Sequence, residues 1–370
     1  MNLFRRSISL FLGILILGNG YSLLVGNGVL SYFNAYCVLL ILTVLLFSKI
    51  YPLPRIKIQT LNRRSLFRLL VLSSCASLSY MFLYVGINAE VDNLLDMPQH
   101  LAYKRYTNQI KTPWYLGVLN AIGYTYIPFT WLRYSKSNFK NVIRYFPILI
   151  SLTFSLLVSG KGGIMFSFLL LFAGYKETPV QRLKAWRVGI LLLIGFVFLL
   201  LAQSGRRGSI EANVIVEVVH RLVGYGFLPI LALDSWLREQ WILYEFTYGI
   251  KSFGGLLDLF GFIDRPDGIY TDITYINDSL RTNIYTAFRS RISDFGFIGS
   301  ILFTGLHIVA FESYRLLSFG QFRLAFRLLG IVWLYWSLFG TIASYNTYAL
   351  TFIIILIINK CIVTKELQSS

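Results

Sequence analysis

The sequence predicts an all-α, multi-pass membrane fold: about ten transmembrane helices and one long external loop. Three observations carry this expectation. Apolar residues make up 56% of the 370 positions and the mean hydropathy is +0.62, against ~45–50% apolar residues in soluble domains. They come in repeated runs near the ~20 residues that cross a bilayer as a helix. The runs are continuous rather than alternating, which argues against a β-barrel.

The runs place spans at 7–25, 29–48, 69–88, 114–132, 145–159, 163–175, 188–204, 294–313, 328–342 and 347–363. The first follows Arg5 and Arg6 in the manner of a signal peptide. No small-residue cleavage site follows it, so it is expected to stay as a span. Between Arg144 and Lys176 lie 31 residues, or ~46 Å as one helix, whereas the hydrocarbon core is only ~30 Å thick. A hairpin with two short arms fits better, and it leaves both basic residues on one side.

Lysine and arginine set the orientation. Arg5, Arg6 and the segments after the second, fourth, sixth, eighth and tenth spans hold 21 bases and three acids, Glu177, Glu312 and Glu366. The positive-inside rule makes that side cytoplasmic, with both termini on it. The opposite side keeps 13 bases and 14 acids, and most of them lie in residues 205–293. The chain therefore divides into spans 1–7 (1–204), the external loop (205–293) and spans 8–10 (294–370). A loop of this length calls for a purpose.

The net charge of +17 does not point to nucleic acid, because the bases are dispersed between spans and form no stripe. Three cysteines, Cys37, Cys75 and Cys361, have neither disulfide nor metal spacing. Asp264 and Asp267 flank Pro266 as in a turn rather than a metal-binding pair, and no cofactor or metal is expected. No internal repeat is evident, which weighs against a repeat-built transporter.

The loop mixes oily and cationic segments. Val214, Val216, Val218, Val219 and Leu222 suit a short amphipathic helix, and Phe253–Ile263 is apolar with three glycines. Such segments fit the headgroup layer. Among them stand Arg206, Arg207, Arg221, Arg238, Lys251, Arg265, Arg281, Arg289 and Arg291, a combination suited to a lipid with an anionic head.

Several residues are candidates for chemistry. "SGKGG" (159–163) is not a phosphate-binding Walker loop, since it lacks the upstream Gly and the following Ser or Thr. At the tip of a short hairpin, Lys161 would sit below the outer surface and face protein, water or an anion. Arg206 and Arg207 can fork onto phosphate oxygens or anchor at the interface. His220, beside Arg221, is a possible base, although a lone histidine is more often structural. His307 is read as a packing residue. In "TNIYTAFRSRISDFGFIGS" (282–300), Asp294 stands where the eighth span is expected to begin. It either caps that helix or accepts a proton from a sugar hydroxyl. Asn283 and Tyr285 offer hydrogen bonds to sugars, and Arg281, Arg289 and Arg291 suggest a pyrophosphate cradle.

This stretch, with the long loop before it and "SGKGG" upstream, resembles the Wzy-type O-antigen polymerases. The matching residues are Asn283, Tyr285, Thr286, Asp294, Phe295, Gly296 and Gly299. The resemblance implies a GT-C-like inner-membrane glycosyltransferase. It would join undecaprenyl-pyrophosphate-linked oligosaccharide units at the periplasmic face, with a flippase and a chain-length regulator as possible partners. Related enzymes depend on external-loop arginines, which correspond by position to Arg206, Arg207, Arg289 and Arg291. Two departures stand out: Lys161 replaces an arginine common in relatives, and Thr282 stands where related ligases have histidine. Alternatives from the same residues are a lipid-linked-oligosaccharide translocase and an O-antigen ligase. The few ionisable groups inside spans disfavour the first, and Thr282 disfavours the second.

Overall fold

A computed structural model describes residues 3–50, 62–89, 113–132, 142–157, 161–177, 214–240, 246–264, 274–276, 281–282, 286–312 and 323–362, with isolated positions near 97–109 and 190–195. The described chain is mainly helical. Its helices are α1 (Leu3–Leu24), α2 (Ser31–Ile50), α3 (Arg63–Asn88), α4 (Trp114–Tyr124), α5 (Phe146–Leu157) and α6 (Lys161–Glu177). They continue with α7 (Val214–Gln240), α8 (Ile250–Leu259), α9 (Ala287–Glu312), α10 (Arg323–Trp336) and α11 (Asn346–Ile362). Strands β1 (Thr274–Tyr275) and β2 (Arg281–Thr282) pair antiparallel, with Thr274 opposite Thr282. Among the described residues α1, α2, α3 and α9 are long and apolar enough to cross a bilayer, and shorter apolar helices occupy 143–155, 162–176, 324–336 and 346–359. The chain is thus an all-α protein with membrane-spanning character.

Two compact units form, one from residues 1–56 and 221–349 and the other from 57–220 and 350–370. This partition cuts across the sequence-based division into 1–204, 205–293 and 294–370.

In the first unit, α1 and α2 form a hairpin clamped near its turn. The Asn19 side chain donates to Asn34 Oδ1 (2.7 Å) and accepts from Leu30 N (3.0 Å). Amide pairs of this kind hold apolar helices in register because the alternative is an unsatisfied polar group. Helix α7 packs on this turn. Ile230 lies against Gly18, Phe227 stacks on Tyr21 at 5.3 Å, and Asp234 Oδ1 accepts from Phe33 N (2.8 Å). Phe33 is the third residue of α2, so the carboxylate caps that helix from another segment. At the far end, Glu312 accepts from Leu3 N, at the start of α1.

Helix α7 is longer than the short helix expected around 214–222. It runs 27 residues, or ~40 Å, straight through Gly224, Gly226 and Pro229. These residues are local stop signals, but the 229–237 face is largely buried. Burial against a bundle outweighs propensity, as it often does in membrane helices where neighbours satisfy the groups that proline frees.

Helix α9 also differs from expectation. It begins at Ala287 rather than Asp294 and is broken at Gly296 (φ 74°, ψ 172°). As one rod it would put Arg291 and Thr304 about 20 Å apart along its axis. The Arg291 Nη1 group nevertheless donates to Thr304 Oγ1 at 3.1 Å, so the segment before the break folds back along the segment after it. Beyond the break α9 packs closely on α2: a methyl at Gly305 would lie 2.5 Å from Phe47. Helix α10 follows, with Trp333 stacked on His307 at 5.2 Å.

In the second unit, Ser73 donates to the Gly123 carbonyl between α3 and α4. Phe154 of α5 sits between Tyr80 and Tyr84 of α3 at 4.6 and 5.0 Å. The stretch 145–175 is two helices, α5 and α6, joined by Ser151 Oγ and Ser167 Oγ at 2.9 Å, as a short-armed hairpin requires. Arg144 turns back to donate to the Leu132 carbonyl at 2.8 Å. The seventh expected span, 188–204, lies almost entirely outside the described residues.

The torsions of Gly296 belong to a region open essentially to glycine alone, with a cost of about 1–3 kcal/mol for another residue. Gly296→Ala is expected to lower the thermal unfolding midpoint of the purified protein. A midpoint equal to wild type would mean that the fold-back tolerates a Cβ.

Candidate functional site

The fold-back of α9 carries two arginines into the first unit. Arg289 and Arg291 are two residues apart, so they leave a helix on different sides. The guanidinium of Arg289 lies 5.0 Å from the ring centre of Trp236 in α7. That of Arg291 lies 4.4 Å from the Trp333 ring and 5.4 Å from Phe288. The two therefore rest on different tryptophans. Each lies on a tryptophan face, where ring quadrupole and cation attract by ~0.5–2 kcal/mol.

Arg291 is the more unusual. It is the largest fully buried side chain in the described structure, 1% exposed. Its hydrogen bond to Thr304 is one of five N–H capacities. Nε and Nη2 are buried and have no hydrogen-bond partner among the described residues. No carboxylate pairs with it among the described residues. Thr304 Oγ1 passes its own proton to the Ser300 carbonyl (2.8 Å), and Ser300 Oγ meets Tyr36 OH at 2.9 Å. The guanidinium thus lies among hydroxyls and aromatic rings, with two donor edges unused. Burying a charge costs several kcal/mol even after relaxation, and two cation–π contacts and one charge-assisted hydrogen bond to Thr304 offset part of that cost. An anion placed against Nε and Nη2 would supply the difference through charge-assisted hydrogen bonds.

Asp294 has a different role from the one its position suggested. Its carboxylate accepts from Thr247 Oγ1, from Lys251 N (3.2 Å) and from Ser252 N (2.7 Å). Lys251 and Ser252 are the second and third residues of α8. The residue before that helix is Gly249 (φ 95°), which offers no side-chain cap. Asp294 therefore caps α8, not its own helix. Both oxygens are engaged by α8 and its entry, and the side chain is 1% exposed, so this geometry favours the cap over a general base open to a substrate hydroxyl.

The remaining sequence candidates divide clearly. Lys161 is the first residue of α6, and His220 and Arg221 lie on α7; their side chains fall outside the described residues, as does that of Arg281 in β2. Arg206, Arg207, Asn283 and Tyr285 lie outside the description altogether. Lys161 and His220 belong to the second unit, whereas Arg289, Arg291 and Asp294 belong to the first. Sequence reasoning missed Trp236, Trp333, Thr304 and Tyr36. Each is far from Arg289 or Arg291 in the chain or separated from it by the Gly296 break, so no local pattern announces the contact.

No protein-family model, curated protein or solved structure matches the chain.

Two substitutions separate structural from functional charge. Replacing a buried, poorly paired ion by an apolar residue of similar size is often neutral or stabilising, by about 1–4 kcal/mol. Arg291→Met is therefore expected to keep or raise the unfolding midpoint. Asp294→Ala strands two backbone N–H groups and should lower the midpoint, through a loss of about 1–2 kcal/mol of stability for the missing cap. Thermal unfolding in one detergent compares the two; a large loss in Arg291→Met would show that the guanidinium holds the fold together.

Proposed function

We propose that this chain is a GT-C-like membrane glycosyltransferase of about ten spans that polymerises undecaprenyl-pyrophosphate-linked oligosaccharide units of O-antigen or capsule. The reaction would take place at the external face of a bacterial inner membrane. The observation that carries the proposal is Arg291, a buried guanidinium with two unused donor edges and no carboxylate partner among the described residues. It lies in an aromatic setting within a broken membrane helix. A diphosphate ester of a polyprenol meets both demands of such a place, since its head brings negative charge and its tail belongs in lipid.

In this scheme an acceptor sugar hydroxyl on one lipid-linked unit attacks the anomeric carbon of the growing chain on another. The anomeric C–O bond to pyrophosphate breaks, and the departing diphosphate takes the bonding pair. Arg291, with Arg289 nearby in sequence on the second tryptophan, supplies positive charge where negative charge develops. Such preorganised donors act most strongly in water-poor surroundings. The hydroxyl proton goes to a base other than Asp294, which is buried and caps α8. Loop residues Arg206, Arg207, Arg281, Asn283 and Tyr285, together with Lys161, Arg221 and His220, are the remaining candidates for holding sugars or phosphate. A flippase that delivers lipid-linked units and a chain-length regulator would be functional partners.

The test is a glycan gel of a deletion strain complemented with variants. Arg291→Ala and Arg289→Ala, present in the membrane at wild-type level, are expected to give lipid A carrying single repeat units instead of a ladder. Loss of the single-unit band as well would indicate a ligase or a translocase, and an ordinary ladder from both variants would remove the proposal.

A further inference from the structure

Helix α8 is held on two flanks and ends in exposed aromatic rings. On one flank are the three bonds to Asp294 and a backbone bond from Thr247 N to the Ser293 carbonyl (3.0 Å). On the other, a methyl at Gly255 would lie 2.6–2.8 Å from the backbone of Ser344, Tyr345 and Asn346. Ser344 Oγ donates to the Lys251 carbonyl at 2.7 Å, and Asn346 donates to Asp258. The helix is therefore rigidly seated in the first unit. Before it, Phe246 and Tyr248 stack at 6.2 Å with 51% and 83% exposure. After it, Phe260 and Phe262 lie 6.5 Å apart with 65% and 74% exposure. The other exposed positions between Phe246 and Phe262 are Ile250 and Gly261, and Asp264 is the next charged one. Tyr248 also adopts a left-handed backbone (φ 47°), which is uncommon for a residue with a bulky side chain. The hydrogen bonds on either side of it fix this turn and hold the ring outward.

We propose that α8 lies parallel to the membrane plane in the polar–apolar boundary of the bilayer, with the aromatic pair at each end inserted at the same depth. This inference rests on the membrane-embedded architecture and not on the proposed reaction. Two arguments select lipid as the occupant. First, the exposed rings continue an outward stripe of α9. Phe295 approaches Gly249, and Phe253 packs on Phe303 at 5.8 Å, while Ile298, Leu302 and Leu306 are exposed at four-residue spacing along the same span. Exposed aliphatic side chains on a spanning helix face acyl chains, and aromatic rings next to them belong to the interfacial belt. Second, the geometry is restrictive. The ten residues of α8 extend ~15 Å, whereas each interfacial layer is only ~5–8 Å thick. Both aromatic ends fit one layer only when the helix axis runs along it, as in interfacial amphipathic helices.

The test uses the full chain in lipid nanodiscs. In the wild-type protein, phospholipids bearing a photoactivatable group near the glycerol are expected to form adducts on peptides covering 246–262. Spin labels at positions 248 and 262, placed by cysteine substitution with Cys75 and Cys361 changed to serine, then report depth. Collision with oxygen should exceed collision with an aqueous nickel complex at both sites, and the two depths should agree, shallower than a control label at Ile298. Labels that collide mainly with nickel would overturn the proposal. So would labels shielded from both reagents, as a second protein would cause, or two clearly different depths.

Discussion

Carboxylates in this chain are drawn to helix N-termini. Asp234 caps α2, Asp294 caps α8 and Glu312 meets the first amide of α1. These three are the buried acids of the described structure, and each binds backbone N–H groups of a segment remote in sequence. In an apolar bundle a free helix start carries unsatisfied donors and a partial positive charge, and a charge-assisted hydrogen bond to it contributes ~1.5–3 kcal/mol. With 17 acids against 34 lysines and arginines in the chain, carboxylates are scarce. The buried acids hold the tertiary structure, and Arg291 is left on an aromatic face with donor capacity to spare. The buried acids thus serve helix starts, and Asp234 also pairs with Arg238 at 3.1 Å.

This logic was only partly legible in the sequence. Helices α1, α2 and α3 follow from long apolar runs, because a bilayer rewards continuous hydrophobicity whatever the neighbours. The α5–α6 hairpin follows from arithmetic, since 31 residues between two basic markers fit neither one straight crossing nor a loop. The rest depends on contacts between distant segments. Nothing around Pro229 indicates that α7 passes through it, because the compensation lies in α1 and α2. Asp294 reads as a cap from its position at an expected helix start. It is a cap, but for α8, some 40 residues away in the chain.

The arginines were legible as residue types and not as geometry. A cluster of Arg289 and Arg291 suggests a common grip on one ligand. Helical spacing turns them apart, onto Trp236 and Trp333, and the Gly296 break brings Arg291 to Thr304. A glycine in an apolar run carries no sign of such a break until its torsions are known. The short motif Asp294–Phe295–Gly296 is thus a joint: the aspartate fastens α8, the phenylalanine stacks on Phe303 at 4.6 Å, and the glycine reverses the chain.

The break in α9 has a further effect on its surroundings. Residues 297–312 make a helix of ~24 Å, short of a hydrocarbon layer ~30 Å deep. A span that falls short is accommodated by compressing the lipid beside it. If 297–312 is the crossing segment, the bilayer beside it would thin, or its flanking residues would reach outward to the headgroups.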